Sequence, residues 1–171
     1  MKKTQSNFNK FLFVFFFVVY LFLIGLNIYL SLENGQNSSA SSGRVATLIA
    51  NFLNIFGNIV DPSDETFQMI VRKLVGHFGL FFLTSLFSVF SILTLKQKSK
   101  EKQIILFTSI LLGITLAFLT EYLQGFSEAR GPSIKDSLID LSGYFLPLLI
   151  YLIFHFYSRF KDNTCGKMIE L

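Results

Sequence analysis

Acidic, basic and amide side chains gather between two very apolar stretches in "TEYLQGFSEARGPSIKDSLIDLSGY", residues 120–144. Glu121 and Asp140 are carboxylates that can act as general bases or accept hydrogen bonds, and Arg130 is a cation suited to phosphate groups. His77, in another apolar stretch, can exchange protons near neutral pH. In hydrocarbon such groups are rare unless they face the interior of a helix bundle, where they usually mark a functional site. These residues are therefore the first candidates for a binding or catalytic site.

The composition places these residues in a membrane protein. The 171 residues are 51% hydrophobic with a mean hydropathy of +0.54, more than the core of a water-soluble domain requires. A helix needs about 20 apolar residues to cross the hydrocarbon core. Four stretches are long enough, at residues 11–30, 74–95, 104–123 and 138–157. The first is too long for a signal peptide and lacks a small-residue cleavage site, so we interpret it as a membrane anchor.

The distribution of Lys and Arg predicts the orientation. Ten of the fifteen lie in the N-terminal segment, in the loop "KQKSKEK" or in the C-terminal tail, whereas eight of the eleven acids lie on the opposite side. Lys and Arg concentrate on the cytoplasmic side of membrane proteins. We therefore expect a cell-membrane domain at residues 11–157, with residues 1–10 and 158–171 both cytoplasmic. The net charge of +4 belongs to this pattern, so we expect no nucleic-acid partner.

The segment between the first two spans divides into two parts. Residues 31–43, rich in Ser, Asn and Gly, predict an external linker. Over residues 44–60 apolar side chains recur at helical spacing, which predicts an amphipathic helix on the outer membrane surface or over the bundle. In "DPSDE", Asp61 is predicted to cap the next helix, with Pro62 as its first residue. The sequence thus predicts an all-α fold, a four-helix transmembrane bundle with one external amphipathic helix.

Helical spacing predicts that the polar groups face one another. Three spans carry stripes of small residues, and two of these stripes continue into polar groups: Thr84, Ser88 and Ser91; Gly113 and Ala117 with Glu121 and Gln124; Gly143 and Pro147 with Asp136 and Asp140. Small residues allow helices to approach closely. We therefore expect the stripes to pack together and their polar ends to converge, with Arg72, Lys73 and His77, in one outward-opening pocket.

This arrangement resembles the VanZ-like proteins, a family named for a small membrane protein associated with teicoplanin resistance. The residues that carry the resemblance are Glu121, Gln124, Arg130, Asp136, Asp140 and Gly143, and Arg72 or Lys73 before His77 and Phe78. It covers roughly residues 72–147. Lys73 and His77 are four residues apart, where the family usually has a spacing of three. The resemblance implies a cell-membrane location and a role in glycopeptide resistance, but no particular reaction.

Two hypotheses about function remain open. In the first, the protein is not an enzyme and binds membrane lipids, and with them a lipid-linked cell-wall precursor, a teichoic-acid lipid, a glycopeptide or a partner protein. Its ligand-binding residues are Arg72, Lys73, His77, Glu121, Gln124, Arg130, Asp136 and Asp140. In the second, an enzyme modifies a lipid-linked substrate, with Glu121, Asp140 and His77 as catalytic candidates. No nucleophile motif, metal triad or phosphate-binding glycine loop supports the second, so the first is favoured.

Some of these residues also have purely structural interpretations. Glu121 and Arg130 could form an ion pair that closes the loop between the last two spans. Asp136 follows Ser133 at the spacing of a helix-start motif. The single cysteine, Cys165, excludes a disulfide framework and a thiolate metal site. We therefore expect neither a bound metal nor a cofactor.

Overall fold

The computed structural model describes residues 2–57, 59–95, 100–128 and 130–167, with side chains between residues 7 and 158. The chain is 87% helical, and the described ranges contain no strand. The elements are α1 (Lys2–Ser31), α2 (Gly35–Leu53), a 3-10 turn (Asn54–Phe56), α3 (Glu65–Val71), a π-helix (Arg72–Gly79), α4 (Leu80–Thr94), α5 (Lys100–Gln124) and α6 (Ile134–Lys167). The predicted all-α class is therefore confirmed.

Four helical stretches are long and apolar enough to cross a membrane, as the sequence predicts: Asn7–Ser31, Glu65–Thr94, Lys100–Gln124 and Ile134–Ser158. The second is a single rod formed by α3, the π-helix and α4. α6 packs against α4, α5 and the π-helix, and α1 packs against α4 and α5. α2 lies against α3, at the end of the bundle where α5 ends and α6 begins. We call this end of the bundle the α2 end.

The predicted stripes of small residues are buried between the spans. A Cβ atom at Gly113 would overlap the Tyr144 ring, and a Cβ atom at Gly143 would overlap the backbone of Phe78. The two glycines thus allow α5 and the π-helix to approach α6 more closely than any larger side chain would permit.

A chain of buried hydroxyl groups crosses the interior of the bundle. The hydroxyl of Tyr144 lies 3.1 Å from that of Tyr20 and 2.8 Å from Ser109 Oγ, and Ser109 Oγ lies 2.7 Å from Ser88 Oγ. Tyr144 also donates to the Ser109 carbonyl oxygen at 2.9 Å. This hydroxyl network, Tyr20, Ser88, Ser109 and Tyr144, links α1, α4, α5 and α6.

The predicted linker over residues 31–43 is wrong, because most of it belongs to α2. Asn34 caps the helix, its side-chain oxygen accepting a hydrogen bond from the Asn37 amide at 2.9 Å. The Gly35 amide donates to the Glu128 carbonyl oxygen at 2.9 Å, which attaches the start of α2 to the loop after α5. The cap and this tertiary contact outweigh the low helix propensity of Ser, Asn and Gly. The predicted amphipathic helix therefore begins earlier, at Gly35.

The predicted start of the next helix is also wrong. Asp64, rather than Asp61, is the N-cap of α3, and its Oδ1 accepts from the Thr66 amide at 2.9 Å. Asp61 instead accepts from the Ser63 amide at 2.8 Å, within the turn that precedes the helix. Residues 96–99 and 168–171, on which the orientation prediction partly depends, lie outside the described residues, as does Asn58.

Candidate binding pocket and its charged cluster

The π-helix and α6 run side by side at the α2 end and meet through two pairs of side chains. Lys73 Nζ lies 3.1 Å from Asp136 Oδ1, and His77 Nδ1 lies 3.1 Å from Asp140 Oδ1. Lys73 and His77 are four residues apart, as are Asp136 and Asp140, so the two helices present their partners at matching intervals. The spacing that departs from the VanZ-like pattern thus fits the opposite helix.

The close approach at Gly143 explains why these pairs can form. The backbone of Phe78 rests where a side chain at Gly143 would be. His77 precedes Phe78, and Asp140 lies nearly one turn before Gly143, so the backbone contact brings the imidazole and the carboxylate together. π-Helical turns are uncommon and are frequent at functional sites, which agrees with the position of His77.

His77, Glu121 and Asp140 form what we call the charged cluster. One ligand atom of each lies within 4.8 Å of the other two, and Glu121 Oε1 is 3.8 Å from His77 Nδ1. Glu121 is 3% exposed and Asp140 is fully buried. The structure therefore confines two carboxylates and one imidazole to a small volume within the bundle.

The two carboxylates of the cluster differ in how they are supported. Glu121 accepts from Gln124 Nε2 at 2.9 Å and from the Ser133 amide at 2.8 Å, so both of its oxygens are held. Asp140 Oδ2 is buried and has no hydrogen-bond partner among the described residues. The Thr120 hydroxyl lies within reach of both Asp140 and the Ala117 carbonyl oxygen, and its geometry favours the Ala117 carbonyl as the acceptor of its single proton. Within the described part of the chain, Asp140 Oδ2 thus has no donor of its own.

A pocket of about 220 Å³ lies beside the charged cluster. Its polar lining residues include Arg72, His77, Gln124, Arg130 and Asp140. Its apolar lining residues include Leu30, Val45, Val71, Val75, Leu80 and Phe81. The lining comes from α1 to α6, from the π-helix and from the loop before α6, so the pocket exists only when the bundle and α2 are assembled.

Arg130 is turned towards α1. Its Nη1 donates to the carbonyl oxygens of Leu30 at 3.1 Å and Glu33 at 3.3 Å, and in the described part of the chain it forms no ion pair with Glu121. The ion pair considered from sequence is therefore wrong. Burial lowers the pKa of the Arg130 guanidinium, and the charge of Arg72 lowers it further, against a smaller opposing effect of nearby carboxylates. A guanidinium remains charged in proteins, so two positive charges approach each other at this pocket.

The structure separates the eight predicted binding residues into three groups. Arg72, His77, Gln124, Arg130 and Asp140 line the pocket. Glu121 lies against His77, outside the lining. Lys73 and Asp136 form an ion pair with each other, and the Lys73 side chain is 34% exposed. Neither residue lines the pocket. Asp136 also lies in the first turn of α6, where its amide donates to Ser133 Oγ at 3.3 Å, as the helix-start motif predicts.

Several lining residues were not anticipated from the sequence: Asn27, Ser31, Glu33, Ser38, Ser41 and Thr120. Asn27 is a polar residue within an apolar span, and this contrast could have identified it as a candidate site residue. In the structure its amide donates to the Leu23 carbonyl oxygen at 2.8 Å and to Thr84 Oγ1 at 3.0 Å. Ser38 and Ser41 gave no signal, because their segment was interpreted as a linker.

Fold and site together define a class: an all-α membrane protein with four helical stretches long and apolar enough to cross a membrane and a pocket of charged and apolar residues at one end of the bundle. The chain matches the VanZ/LLP1 family over residues 13–155, which is most of its length, and it belongs to that family. The resemblance found in the sequence is therefore confirmed. Comparisons with curated proteins and with solved structures gave no match.

Proposed function

We propose that the protein binds the phosphate-bearing headgroup of a cell-envelope lipid in its pocket, and that this binding contributes to resistance to teicoplanin and related glycopeptides. The observation that carries the proposal is that Arg72 and Arg130, from distant parts of the chain, line one pocket together with many apolar side chains. A charged head and an apolar body are the two features of such a lipid.

The lining contains two arginines and two carboxylates, Glu33 and Asp140, so it is the arginines specifically that favour an anionic ligand. Neither Arg72 nor Arg130 is in an ion pair within the described part of the chain. The guanidinium group offers a planar set of donors that matches two phosphate oxygens at once. A phosphate between the two arginines would offset their mutual repulsion. Ser38 and Ser41 of α2 supply further hydroxyl groups in the lining of the same pocket.

The size of the pocket distinguishes among the expected partners. Pockets that enclose drug-sized molecules measure about 300–1,000 Å³, and this one measures about 220 Å³. A glycopeptide antibiotic is larger than a drug-sized molecule, so the pocket is too small to enclose it. A phosphate headgroup with the first part of its chain is the better match. The favoured ligands are therefore a lipid-linked cell-wall precursor or a teichoic-acid lipid, and the effect on glycopeptides is indirect.

The proposal places the α2 end of the bundle on the extracytoplasmic side of the cell membrane. The support for this orientation is the distribution of charge along the sequence, with ten of the fifteen Lys and Arg residues in the N-terminal segment, the loop "KQKSKEK" and the C-terminal tail. Both termini would then be cytoplasmic. The outer leaflet would be the source of the ligand, and α2, which forms one wall of the pocket, would lie at its entrance.

Binding is best tested with two probes that differ in the phosphate alone, a prenyl phosphate and the matching prenyl alcohol, titrated into the full-length protein in detergent micelles. The phosphate should bind more tightly. Arg72→Gln and Arg130→Gln should each weaken its binding at least about 10-fold, since a charged hydrogen bond contributes about 1.5–3 kcal/mol. Arg44→Gln is the matched control, because Arg44 is exposed on α2 and lies outside the pocket.

Equal binding of alcohol and phosphate, or equal effects of the three arginine variants, would rule out a phosphate site. The cellular measurement is teicoplanin susceptibility at matched protein levels. Arg72→Gln and Arg130→Gln should increase susceptibility relative to the wild type, and Arg44→Gln should not. If the wild type binds the phosphate tightly but Arg72→Gln and Arg130→Gln leave teicoplanin susceptibility unchanged, the pocket is a phosphate-binding site that does not contribute to resistance.

A second function, an enzyme that modifies a lipid-linked substrate, is favoured by one observation. His77 and Asp140 form a hydrogen-bonded pair on the pocket wall, an arrangement that can remove or supply a proton. Under this hypothesis Glu121→Gln, Asp140→Asn and His77→Gln should each abolish activity in cells, whereas binding alone predicts graded losses. Lipid extracts from cells with and without the protein would contain a new product only if it is an enzyme.

A further inference from the structure

We propose that His77, Glu121 and Asp140 bind a divalent transition-metal ion, with Zn²⁺ as the best match. This inference goes beyond the proposed lipid site and does not depend on it. It rests on the mutual distances of the three side chains, their burial and the unpartnered oxygen of Asp140.

The distances suit a single ion. With metal–ligand distances of about 2.0–2.2 Å and tetrahedral angles, two ligand atoms lie about 3.4 Å apart. His77 Nδ1 is 3.1 Å from Asp140 Oδ1 and 3.8 Å from Glu121 Oε1, and all three side chains offer an atom within 4.8 Å of the others. Small side-chain rotations would bring these atoms to one centre.

Hydrogen bonds within the cluster do not satisfy all the acceptor oxygens of its two carboxylates. His77 Nδ1 can share one proton at most, so it cannot form good hydrogen bonds with both carboxylates. Asp140 is fully buried and its Oδ2 has no partner among the described residues. Buried carboxylates are costly unless they are paired with a cation or bind a metal. A divalent ion would neutralise both carboxylate charges, and the Asp140 carboxylate can bind it through Oδ1, through Oδ2 or through both.

The donor set selects the kind of metal. One imidazole nitrogen with two carboxylates suits Zn²⁺ or Mn²⁺, whereas Mg²⁺ and Ca²⁺ prefer oxygen ligands alone. Glu121 is already oriented by Gln124 and by the Ser133 amide, in the manner of the outer hydrogen bonds that position metal ligands. The expectation of no metal rested on the single cysteine, which bears on thiolate sites only, and on the absence of a metal-triad motif along the chain.

Three protein ligands leave a fourth tetrahedral position for water or a ligand. His77 and Asp140 line the pocket, so that position would face the space proposed for the lipid headgroup. The metal could therefore contact a bound phosphate oxygen together with Arg72 and Arg130.

The experiment uses full-length protein in micelles, treated with a chelator and then titrated with Zn²⁺ alone by calorimetry. One ion should bind per chain, and Co²⁺ in its place should give the visible absorption of a site containing nitrogen and oxygen ligands. His77→Gln, Glu121→Gln and Asp140→Asn should each weaken Zn²⁺ binding by at least about 100-fold. His155→Gln and Glu101→Gln are the matched controls, since they remove the other histidine and an exposed glutamate.

The wild-type measurement decides the matter even if a variant fails to fold. Absence of Zn²⁺ and Mn²⁺ binding to folded wild-type protein would overturn the proposal and favour a cluster that shares a proton. Binding that survives all three ligand substitutions, or that is lost in His155→Gln, would also overturn it. Because the titration contains no lipid, its outcome is independent of the phosphate-binding test.

Discussion

The hydroxyl network and the charged cluster are both groups of buried polar side chains that share α5 and α6, and they differ in how completely they are hydrogen-bonded. Tyr20, Ser88, Ser109 and Tyr144 form a continuous chain of hydrogen bonds, with no unpartnered oxygen among the described atoms. The charged cluster brings two carboxylates to one imidazole and leaves Asp140 Oδ2 unpartnered. The network is neutral and enclosed, whereas the cluster is charged and borders a pocket.

This difference predicts a structural role for the hydroxyl network and a functional role for the charged cluster. A fully hydrogen-bonded neutral network stabilises a particular packing of the helices. A buried carboxylate with an empty acceptor position reduces stability, and such costs are usual where a protein must bind something. We therefore expect substitutions in the two regions to act in opposite directions on stability and on binding.

The largest effect is expected for Gly143→Ala, which acts on the packing that creates the cluster. The new methyl group would overlap the backbone of Phe78, which cannot move aside as a side chain could. Overpacking costs about 1–3 kcal/mol and sometimes more, and we expect the upper end of that range. The free energy of unfolding, measured in detergent micelles, reports this cost. Gly25→Ala is the control, because open space surrounds Gly25, and it should leave stability unchanged or slightly higher.

Binding should respond to Gly143→Ala as well. Separating the π-helix from α6 moves His77 away from Asp140, so phosphate and Zn²⁺ binding should both weaken. A variant as stable as the wild type, with normal binding, would show that the close approach at Gly143 is not what forms the cluster.

The next effect is expected for Tyr144→Phe, which interrupts the hydroxyl network. It removes the group that links Tyr20 to Ser109 and leaves the buried Tyr20 hydroxyl without its partner. A buried unsatisfied group costs about 1–3 kcal/mol, and the same loss should appear in the free energy of unfolding. Phosphate binding by the folded variant should remain normal. Loss of binding at unchanged stability would contradict the structural role of this network.

Asp140→Asn should change the free energy of unfolding in the opposite direction. In chelator-treated protein it removes a buried charge with an unpartnered oxygen, so the free energy of unfolding should rise by about 0.5–2 kcal/mol. Teicoplanin resistance in cells should fall at the same time. A variant that is less stable than wild type and still confers resistance would show that Asp140 serves packing.

The smallest effect is expected for Lys73→Gln. The pair with Asp136 is 3.1 Å long, but the Lys73 side chain is 34% exposed, and exposed ion pairs contribute about 1 kcal/mol or less. Stability should change by no more than that, as measured by unfolding in micelles. A loss comparable with that of Tyr144→Phe would place this pair with the buried groups instead of at the rim.

Part of the charged site could be predicted from the sequence because helical spacing is a local property. Glu121 and Gln124 fall on the face that also carries Gly113, and the structure buries this face. The partner of Arg130 could not be predicted in this way. Arg130 donates hydrogen bonds to carbonyl groups at the end of α1, and Leu30 is one hundred residues away in the chain. Every residue has a backbone carbonyl group, so the sequence does not indicate which one acts as the acceptor. The role of α2 was missed for a similar reason, since its serine-rich start is helical only with its cap and its contact to Glu128.

The sequence by itself determined the four apolar helical stretches and the faces that they bury, because hydrophobic length and periodicity are read within one helix. Tertiary structure alone decided the depth and rotation of each helix against its neighbours. The contact of Gly143 with the Phe78 backbone sets that register, and with it the pairing of His77 with Asp140. Such a contact depends on the shapes of two distant segments together, so neither segment specifies it alone.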